Sequence, residues 1–267
     1  MNAAALLASL GIDLEAVLAS EDLGADTEAT VYLSGSLVEG LGNSSSDVDI
    51  FVVGDLVPNG PHVITKDKFC ISIHFSGARR IDFEYWAAGH IKDMAVKLEA
   101  IRLGEDFVAE KLAPIEELFI HRILIGLPIL GADRFLSLAQ LFDRDRFRQY
   151  LVQQSIHRID GAMEDVVGTI DDGDWLSAVT RSRDLVNFAA DAFCHSKGNT
   201  NPLPKWRARI LERLPGNEAR MLEKQYWELQ FPELGSAPFR AEVAEVYARR
   251  CLDFAEQITW SIQDDDR

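Results

Sequence analysis

The sequence has few cysteines and no arrangement that would pair them. Its 267 residues include three cysteines, Cys70, Cys194 and Cys251, which lie far apart and form no Cys-x-x-Cys pair. An odd number of widely spaced cysteines argues against a disulfide framework and against a structural zinc site. We therefore expect a protein that works in the reducing cytoplasm.

Long apolar runs are also missing. The first ten residues are apolar, but no lysine or arginine precedes them and Asp13 and Glu15 follow soon after, which is a poor match to a signal peptide. The most apolar stretch, residues 118–132, is interrupted by Gly126 and Pro128 and is too short and too polar to cross a bilayer. We expect no membrane partner.

Positive charge is scarce. The chain has 27 Lys and Arg against 43 Asp and Glu, which gives a formal net charge of −16. Proteins that bind DNA or RNA usually neutralise phosphates with a basic surface, so we expect no nucleic-acid partner. An acidic surface attracts cations, although the same acidity is also a common means of keeping a protein soluble. We expect a monomer or a weak dimer.

The spacing of apolar residues changes along the chain. Residues 2–20 indicate one short helix, because leucines recur there at four-residue intervals. Four β-prone segments follow between residues 30 and 86, and the pattern is helical from about residue 87 onward. Strands followed by helices predict an α+β protein, with a small sheet domain over residues 1–130 and a helical domain over residues 131–267.

The most informative motif lies between the first two predicted strands. The first strand ends at Gly35 and Ser36, a loop of small residues follows, and an Asp-x-Asp pair, Asp47 and Asp49, opens the second strand. Gly35 lets the backbone approach a phosphate because it has no Cβ, and Ser36 adds a hydroxyl to an anion-binding turn. Asp47 and Asp49 lie two residues apart on a strand, so their carboxylates point to one face.

Two carboxylates on one strand face favour a divalent cation. They repel each other when ionised unless a cation lies between them, and Mg²⁺ binds through one or two carboxylates plus substrate phosphates. Two such ions hold the attacking and the leaving oxygen of an in-line displacement. A third acid is then needed near the acceptor hydroxyl, as general base or metal ligand. Asp82 in a later apolar strand is our first choice, and Glu84 on the same face is the alternative.

A hairpin with a solvated aspartate turn would also explain the Asp-x-Asp pair. Acid-x-acid pairs arise often by chance in a chain this acidic. The preceding strand, the Gly-Ser at its end, the apolar flanks and the later strand acid together favour a functional motif.

In combination, Gly35, Ser36, Asp47, Asp49 and Asp82 resemble the motif of the DNA polymerase β-type nucleotidyltransferase superfamily. This resemblance implies an N-terminal nucleotidyltransferase domain with a small mixed sheet and helices, followed by an α-helical bundle. It also implies that Asp47, Asp49 and Asp82 are catalytic and bind Mg²⁺, as two ions.

The later chain is similar to the aminoglycoside nucleotidyltransferases, above all those that adenylylate streptomycin or spectinomycin. Residues 125–134 resemble the segment that links the family's two domains, and residues 173–190 resemble a helix that lines its substrate pocket. Residues 205–215 resemble a segment whose lysine reaches the triphosphate. The resemblance implies transfer of AMP from ATP, or of another NMP from its NTP, to a small cationic acceptor.

The same resemblance assigns the remaining residues. Gly35, Ser36, Ser46 and Lys205 would bind the nucleotide phosphates, and Asp174 would face the acceptor. Glu84 is our second candidate on the acceptor side.

Other acidic residues and the histidines carry weaker expectations. Glu116 and Glu117 lie near a position where the family places an acid beside the nucleotide. His74 and His121 have no partner at metal-ligand spacing, so we expect them to be surface or hydrogen-bonded groups.

The core motif leaves the acceptor open. Members of the superfamily also modify proteins, RNA and other nucleotides, so a protein side chain, in a toxin–antitoxin or signalling role, or a tRNA is the alternative acceptor. A module that binds nucleotide without turnover is a third hypothesis. The presence of all three acids ranks it last.

Overall fold

The chain forms two compact units. The computed structural model describes residues 2–24, 28–104 and 111–265. The first unit ends at Asp143 and the second continues from Arg144. The division into residues 1–130 and 131–267 expected from the sequence stays a prediction.

A six-stranded mixed sheet forms the centre of the first unit. Neighbours pair in the order β3-β4-β5-β2-β1-β6, in which β2 and β5 are parallel and all other pairs are antiparallel. This confirms the mixed sheet that the resemblance implied. The strands are β1 (Thr30–Ser34), β2 (Val48–Val53), β3 (Val63–Thr65), β4 (Phe69–Ser76), β5 (Arg79–Trp86) and β6 (Leu127–Leu130).

Two of these strands were not predicted from the sequence. β3 has three partly exposed residues, which is too short to show an apolar alternation. β6 contains Pro128 and pairs only with β1 at the edge of the sheet. Proline has no backbone N–H and is confined to such edge strands, so the segment looks like a linker from sequence alone.

The helices of the first unit are short. They are α1 (Ala3–Ser9), α2 (Leu14–Ala19), α3 (Ala88–Ala100), α4 (Pro114–Leu124) and α5 (Ala132–Ala139). The single helix predicted over residues 2–20 is wrong, because Gly11 has a φ of 71° between α1 and α2. The Asp13 side chain then accepts hydrogen bonds from the backbone N–H groups of Glu15 and Ala16, which starts α2.

The sheet has two chemically different faces. The core face packs against α1 and α2 through residues such as Leu33, Ile50, Ile81 and Phe83. The opposite face alternates with it along each strand. We call it the acidic face and define it by Asp49 of β2, by Asp82 and Glu84 of β5, and by the aromatic residues Tyr32, Phe51 and Trp86.

Helix α4 packs on the aromatic end of the acidic face. The ring centroid of Phe119 lies 6.2 Å from that of Phe51 and 4.6 Å from that of Trp86. Tyr32 stacks on Phe51 with centroids 5.0 Å apart. These rings form an apolar floor directly beside the carboxylates of the same strands.

The second unit is a helical bundle, as predicted. Helix α7 lies at its centre and packs against the other four helices. The helices are α6 (Arg144–Asp171), α7 (Trp175–Ser196), α8 (Arg207–Arg213), α9 (Asn217–Gln230) and α10 (Ala241–Asp265). Within residues 2–24, 28–104 and 111–265, no helix has both the length and the apolar character that crossing a membrane requires.

Candidate active site

The turn after β1 is built around Gly35. Its φ is 92°, a left-handed conformation that residues with a side chain rarely adopt. A Cβ at this position would lie 2.0 Å from both Arg122 Nη1 and Asp49 Oδ2. The absence of a side chain was predicted to make room for phosphate. In this structure the room beside Gly35 is taken by an arginine–aspartate pair.

Two predicted phosphate-binding serines approach each other across the loop. A Cβ on Gly42 would lie 3.2 Å from both the Ser36 and the Ser46 hydroxyl oxygens, so the two hydroxyls lie close to one backbone position. The Ser36 carbonyl accepts the backbone N–H groups of Leu41 and Gly42 at 2.8 Å, which closes the turn. The loop thus brings both hydroxyls to the end of β1.

Arg79 of β5 anchors this loop by hydrogen bonds. Its guanidinium donates hydrogen bonds to the carbonyls of Ser46 at 2.8 Å and of Ser44 at 3.1 Å. Arg79 is the first residue of β5, so the same strand that carries Asp82 also fixes the loop that leads into Asp47.

The predicted carboxylates lie side by side on the acidic face. Asp49 of β2 is the register partner of Asp82 of β5 and also of Ser34 of β1. Asp47 precedes β2 by one residue, and Glu84 lies one pleat further along β5, opposite Phe51. The structure therefore brings together four of the acids that the sequence singled out.

Two arginines that the sequence analysis did not select neutralise part of this charge. Arg80 donates from Nε and Nη2 to the two oxygens of Asp82, at 2.6 and 2.8 Å. Arg122 of α4 donates from Nη1 to Asp49 Oδ2 at 2.9 Å, and its backbone carbonyl accepts the Ser34 hydroxyl at 2.7 Å. Asp47 has no hydrogen-bonded partner among the described residues.

Burial and mutual repulsion raise two of the acid pKa values. Burial raises the pKa of Glu84 to about 7, with Asp49 adding to the rise and Arg122 opposing it. Burial also raises the pKa of Asp82, while the hydrogen bonds from Arg80 lower it. A buried carboxyl with a raised pKa that lies among other acids is typical of a site that handles protons or cations.

Comparison with known proteins identifies this part of the chain. Residues 18–122 match the model of the nucleotidyltransferase domain family, and this range contains the Gly-Ser turn and the four acids. The first unit carries a nucleotidyltransferase domain. The prediction of a nucleotidyltransferase enzyme is thereby confirmed, at the level of the transferase class.

Two further comparisons complete the picture. A nucleotidyltransferase-like protein from Exiguobacterium sibiricum 255-15 has a solved structure that is 14% identical in sequence, with a TM-score of 0.45. The match covers 95% of this chain and 79% of that chain. No curated protein matches the sequence.

The two predicted site residues of the second unit have local structural roles. Asp174 is the N-cap of α7 and accepts the backbone N–H of Ser177 at 3.1 Å. Hydrogen bonds from Ser177 lower the pKa of its exposed carboxyl. Lys205 is exposed, and its ammonium lies 5.2 Å from the centroid of the Trp206 ring. Neither role conflicts with binding a ligand.

Glu116 of the nucleotidyltransferase domain is committed to structural contacts. It accepts hydrogen bonds from Lys68 at 2.6 Å, from Lys97 at 2.8 Å and from the backbone N–H of Ala113 at 2.6 Å. Burial raises its pKa, but these hydrogen bonds outweigh burial and bring the pKa to about 2. Glu116 lies in the first turn of α4, whereas Arg122 lies in its last turn.

The two histidines lie in different surroundings. His121 is buried, with Nε2 3.3 Å from Oε1 of Glu39. His74 lies beside Glu21 and His62, and one donor atom of each of these three residues lies within 4.8 Å of the other two. Among the described residues no other three His, Cys, Asp or Glu side chains come that close together. Sequence spacing missed the cluster because Glu21 and His62 come from separate loops.

The carboxylates of the acidic face are spaced more widely than that cluster. Arg80 and Arg122 form ion pairs with Asp82 and Asp49. The chemistry of the donors nevertheless suits a hard cation, because all of them are carboxylate oxygens.

A cavity of about 640 Å³ in the nucleotidyltransferase domain lies away from these acids. Thr30 and Val53 line it, together with Asp55 and Arg134. Thr30 and Val53 are at the opposite ends of β1 and β2 from Ser34 and Asp49. We therefore define the candidate active site by the carboxylates and not by this cavity.

Proposed function

We propose that the protein is a Mg²⁺-dependent nucleotidyltransferase that moves AMP from ATP to a hydroxyl of a small cationic acceptor such as an aminoglycoside. One observation carries the proposal. Asp49 and Asp82 are register partners on one face of the sheet, with Asp47 beside them and the Gly35 turn at the end of the adjoining strand. This arrangement supports the proposal that the acids hold the metal and accept the proton while the neighbouring turn and loop bind phosphate.

The acids fit Mg²⁺ as its protein ligands. Asp47 is free of hydrogen-bonded partners among the described residues, and Asp49 offers its second oxygen, since Arg122 contacts only Oδ2. We propose that Asp47, Asp49 and Asp82 hold the metal. Bound Mg²⁺ would neutralise charge that develops on the transferred phosphoryl group and its leaving pyrophosphate.

Phosphate binding is assigned to the turn and to one lysine. The hydroxyls of Ser36 and Ser46 lie near a common point at Gly42, where both can donate to phosphate oxygens. We propose these contacts, with Lys205 as an additional charge on the triphosphate. Positioning of the α-phosphate for in-line attack then supplies most of the rate enhancement.

We propose Asp82 as the group that accepts the proton of the attacking hydroxyl. Its register partner Asp49 is a proposed metal ligand, so a phosphate bound to that metal would lie beside Asp82. Glu84 lies one pleat deeper, close to Arg122 and Trp86, and its Oε2 accepts the Trp86 indole N–H at 3.3 Å. We assign Glu84 to orienting the acceptor side of the site.

The acceptor is inferred from charge. The net charge of −16 favours a cationic small molecule over RNA, and Asp174 presents an exposed ionised carboxylate. A protein side chain is the second candidate, because an acidic surface does not exclude it. The three thiols are free, which accords with the reducing cytoplasm that we propose as the site of action.

The decisive experiment is Mg²⁺-dependent pyrophosphate release from each NTP, with and without a panel of aminoglycosides. The variant is Asp47→Asn, and Asp93→Asn on the exposed side of α3 is the matched control. Release that requires an aminoglycoside, is abolished by Asp47→Asn and survives Asp93→Asn supports the proposal. Pyrophosphate release that does not respond to any aminoglycoside would favour a protein side chain as the acceptor. Absence of NTP binding would refute the proposal.

A further variant tests the acceptor side. Asp174→Asn retains a side-chain oxygen that caps α7 but removes the charge. If Asp174 binds a cationic acceptor, KM for that acceptor rises severalfold while KM for ATP and the melting temperature stay unchanged. An unchanged acceptor KM leaves Asp174 as a helix cap alone.

A further inference from the structure

Three potential metal ligands meet on the other side of the sheet from the carboxylates. Glu21 follows α2, His62 lies in the turn before β3, and His74 is in β4. One donor atom of each lies within 4.8 Å of the others, and the two imidazole rings are 5.0 Å apart at an interplanar angle of 72°. Ligands around one Zn²⁺ ion lie roughly 3 to 3.5 Å apart, so small side-chain movements would close the set on an ion.

The position of the cluster separates it from the active site. His74 pairs with Ile81 and Ser72 pairs with Phe83, so their side chains share the core face with those residues. Asp82 is between Ile81 and Phe83 in β5 and points the opposite way. An ion bound at the cluster would therefore be a different ion from the one held by the acidic face.

The surroundings of Glu21 resemble the supporting shell of a metal ligand. Its side chain is only 7% exposed and contacts His74 Nε2 through Oε1. The Ser72 hydroxyl donates to the same oxygen, and the Tyr85 hydroxyl donates to Oε2. Groups that hold a carboxylate in one orientation are the usual outer partners of metal-binding acids.

We propose that Glu21, His62 and His74 form a binding site for a divalent transition metal of the zinc class. Two imidazole nitrogens and one carboxylate oxygen suit Zn²⁺, whereas Mg²⁺ prefers oxygen donors alone. The fourth position is left to water. The three ligands come from separate segments of the chain. A bound ion would therefore link the turn after α2 and the turn before β3 to strand β4, and its role is structural.

The test is Zn²⁺ binding to the full-length protein, measured by competition with a chromophoric chelator at neutral pH. We expect about one Zn²⁺ ion per chain and a rise in the melting temperature on adding Zn²⁺. His62→Ala removes an exposed ligand and leaves the core intact, so it is the informative variant. It is expected to weaken Zn²⁺ binding at least about tenfold, the effect of losing even an outer partner of a metal site.

Two controls make the outcome unambiguous. His90→Ala removes an exposed histidine outside the cluster and is expected to bind Zn²⁺ like the wild type. The double variant Asp47→Asn, Asp49→Asn removes acidic-face ligands and is also expected to retain Zn²⁺ binding, which separates this proposal from the proposed Mg²⁺ site. Absence of stoichiometric Zn²⁺, or equal affinity in His62→Ala and the wild type, would overturn the proposal.

Discussion

The two faces of one sheet contrast sharply in this protein, although the same strands build both. In β5, Ile81 and Phe83 point to the core face, while Asp82 and Glu84 between and beside them point to the acidic face. The core face is stabilised by the burial of apolar side chains, an effect that is non-directional and does not require a specific partner. The acidic face brings several carboxylates together, and two of them are paired with arginine side chains.

The contrast separates the proposed site of the first unit from its stabilising core. Burying a carboxylate is unfavourable unless it is paired, and here Arg80 and Arg122 supply the pairing for Asp82 and Asp49. The acidic face therefore depends on specific ion pairs, whereas the core face is stabilised by apolar burial. Substitutions on the two faces are expected to separate activity from stability.

The largest expected effect on stability is on the core face. Phe83 is fully buried, and Phe83→Ala removes its packing and leaves a cavity, so the free energy of unfolding is expected to fall by about 3–5 kcal/mol. Denaturant unfolding measures this loss. At a temperature where the variant remains folded, NTP affinity is expected to change little. A large loss of NTP affinity in the folded variant would show that the two faces are not separable.

The largest expected effect on activity is on the acidic face. Asp49→Asn removes a proposed metal ligand and the partner of Arg122, so kcat/KM is expected to fall by at least about a hundredfold, more than is usual for an outer partner of a metal site. The free energy of unfolding is expected to stay within about 1 kcal/mol of the wild type, because loss of repulsion from Glu84 offsets loss of the ion pair. Full activity in this variant would remove Asp49 from the site.

A substitution at Gly35 tests how closely the turn packs against the Arg122–Asp49 ion pair. Gly35→Ala adds a strained φ and a clash with Arg122 and Asp49, whereas Gly77→Ala at a φ of 61° meets nothing within 4 Å. Both variants suffer the backbone strain, so the difference between their unfolding free energies isolates the clash, which we expect to cost about 1–3 kcal/mol. Equal losses in the two variants would show that the ion pair moves aside freely.

Substitution of Glu84 is expected to have the smallest effect on the free energy of unfolding, and this effect depends on pH. Its pKa is about 7 in the folded protein against 4.5 in the unfolded chain, so the folded state holds the proton more tightly. Stability from this group is therefore present at low pH and is lost as pH rises from about 4.5 to about 7. Glu84→Gln should flatten that dependence, by about 2 kcal/mol between pH 5 and pH 8.

Unfolding by denaturant at pH 5 and at pH 8 measures the change. An unaltered pH slope in Glu84→Gln would show that Glu84 titrates normally. The same pair of measurements on Asp93→Asn, an exposed acid in α3, gives the slope expected from an acid outside the site.

The sequence was sufficient to predict that the four acids lie together on one face of the sheet. Asp47, Asp49, Asp82 and Glu84 stand out because polar residues interrupt apolar strands, and strand alternation fixes which of them share a face. The α+β class and the helical second unit follow from equally regular patterns. The match of residues 18–122 to the nucleotidyltransferase domain family confirms the nucleotidyltransferase domain that the motif implied.

The partners of those acids were not predictable in the same way. Arg122 lies in an apolar helix 73 residues away from Asp49, and no periodic pattern marks such a contact. The cluster of Glu21, His62 and His74 likewise depends on two loops that close across the sheet. Long-range pairs of this kind are set by tertiary packing, and local patterns carry no signal for them.

The parallel pairing of β2 with β5 has a consequence for how the protein is made. Consecutive antiparallel strands such as β4 and β5 are joined by a short turn, but β5 can pair with β2 only after the chain between them, including β3 and β4, has been made. Ordering this longer stretch carries an entropic cost before the pairing stabilises it. A nascent chain that has emerged only as far as Val53 thus carries Asp47 and Asp49 without Asp82, and catalytic competence is expected to arise only after Trp86 has left the ribosome and β5 has paired with β2.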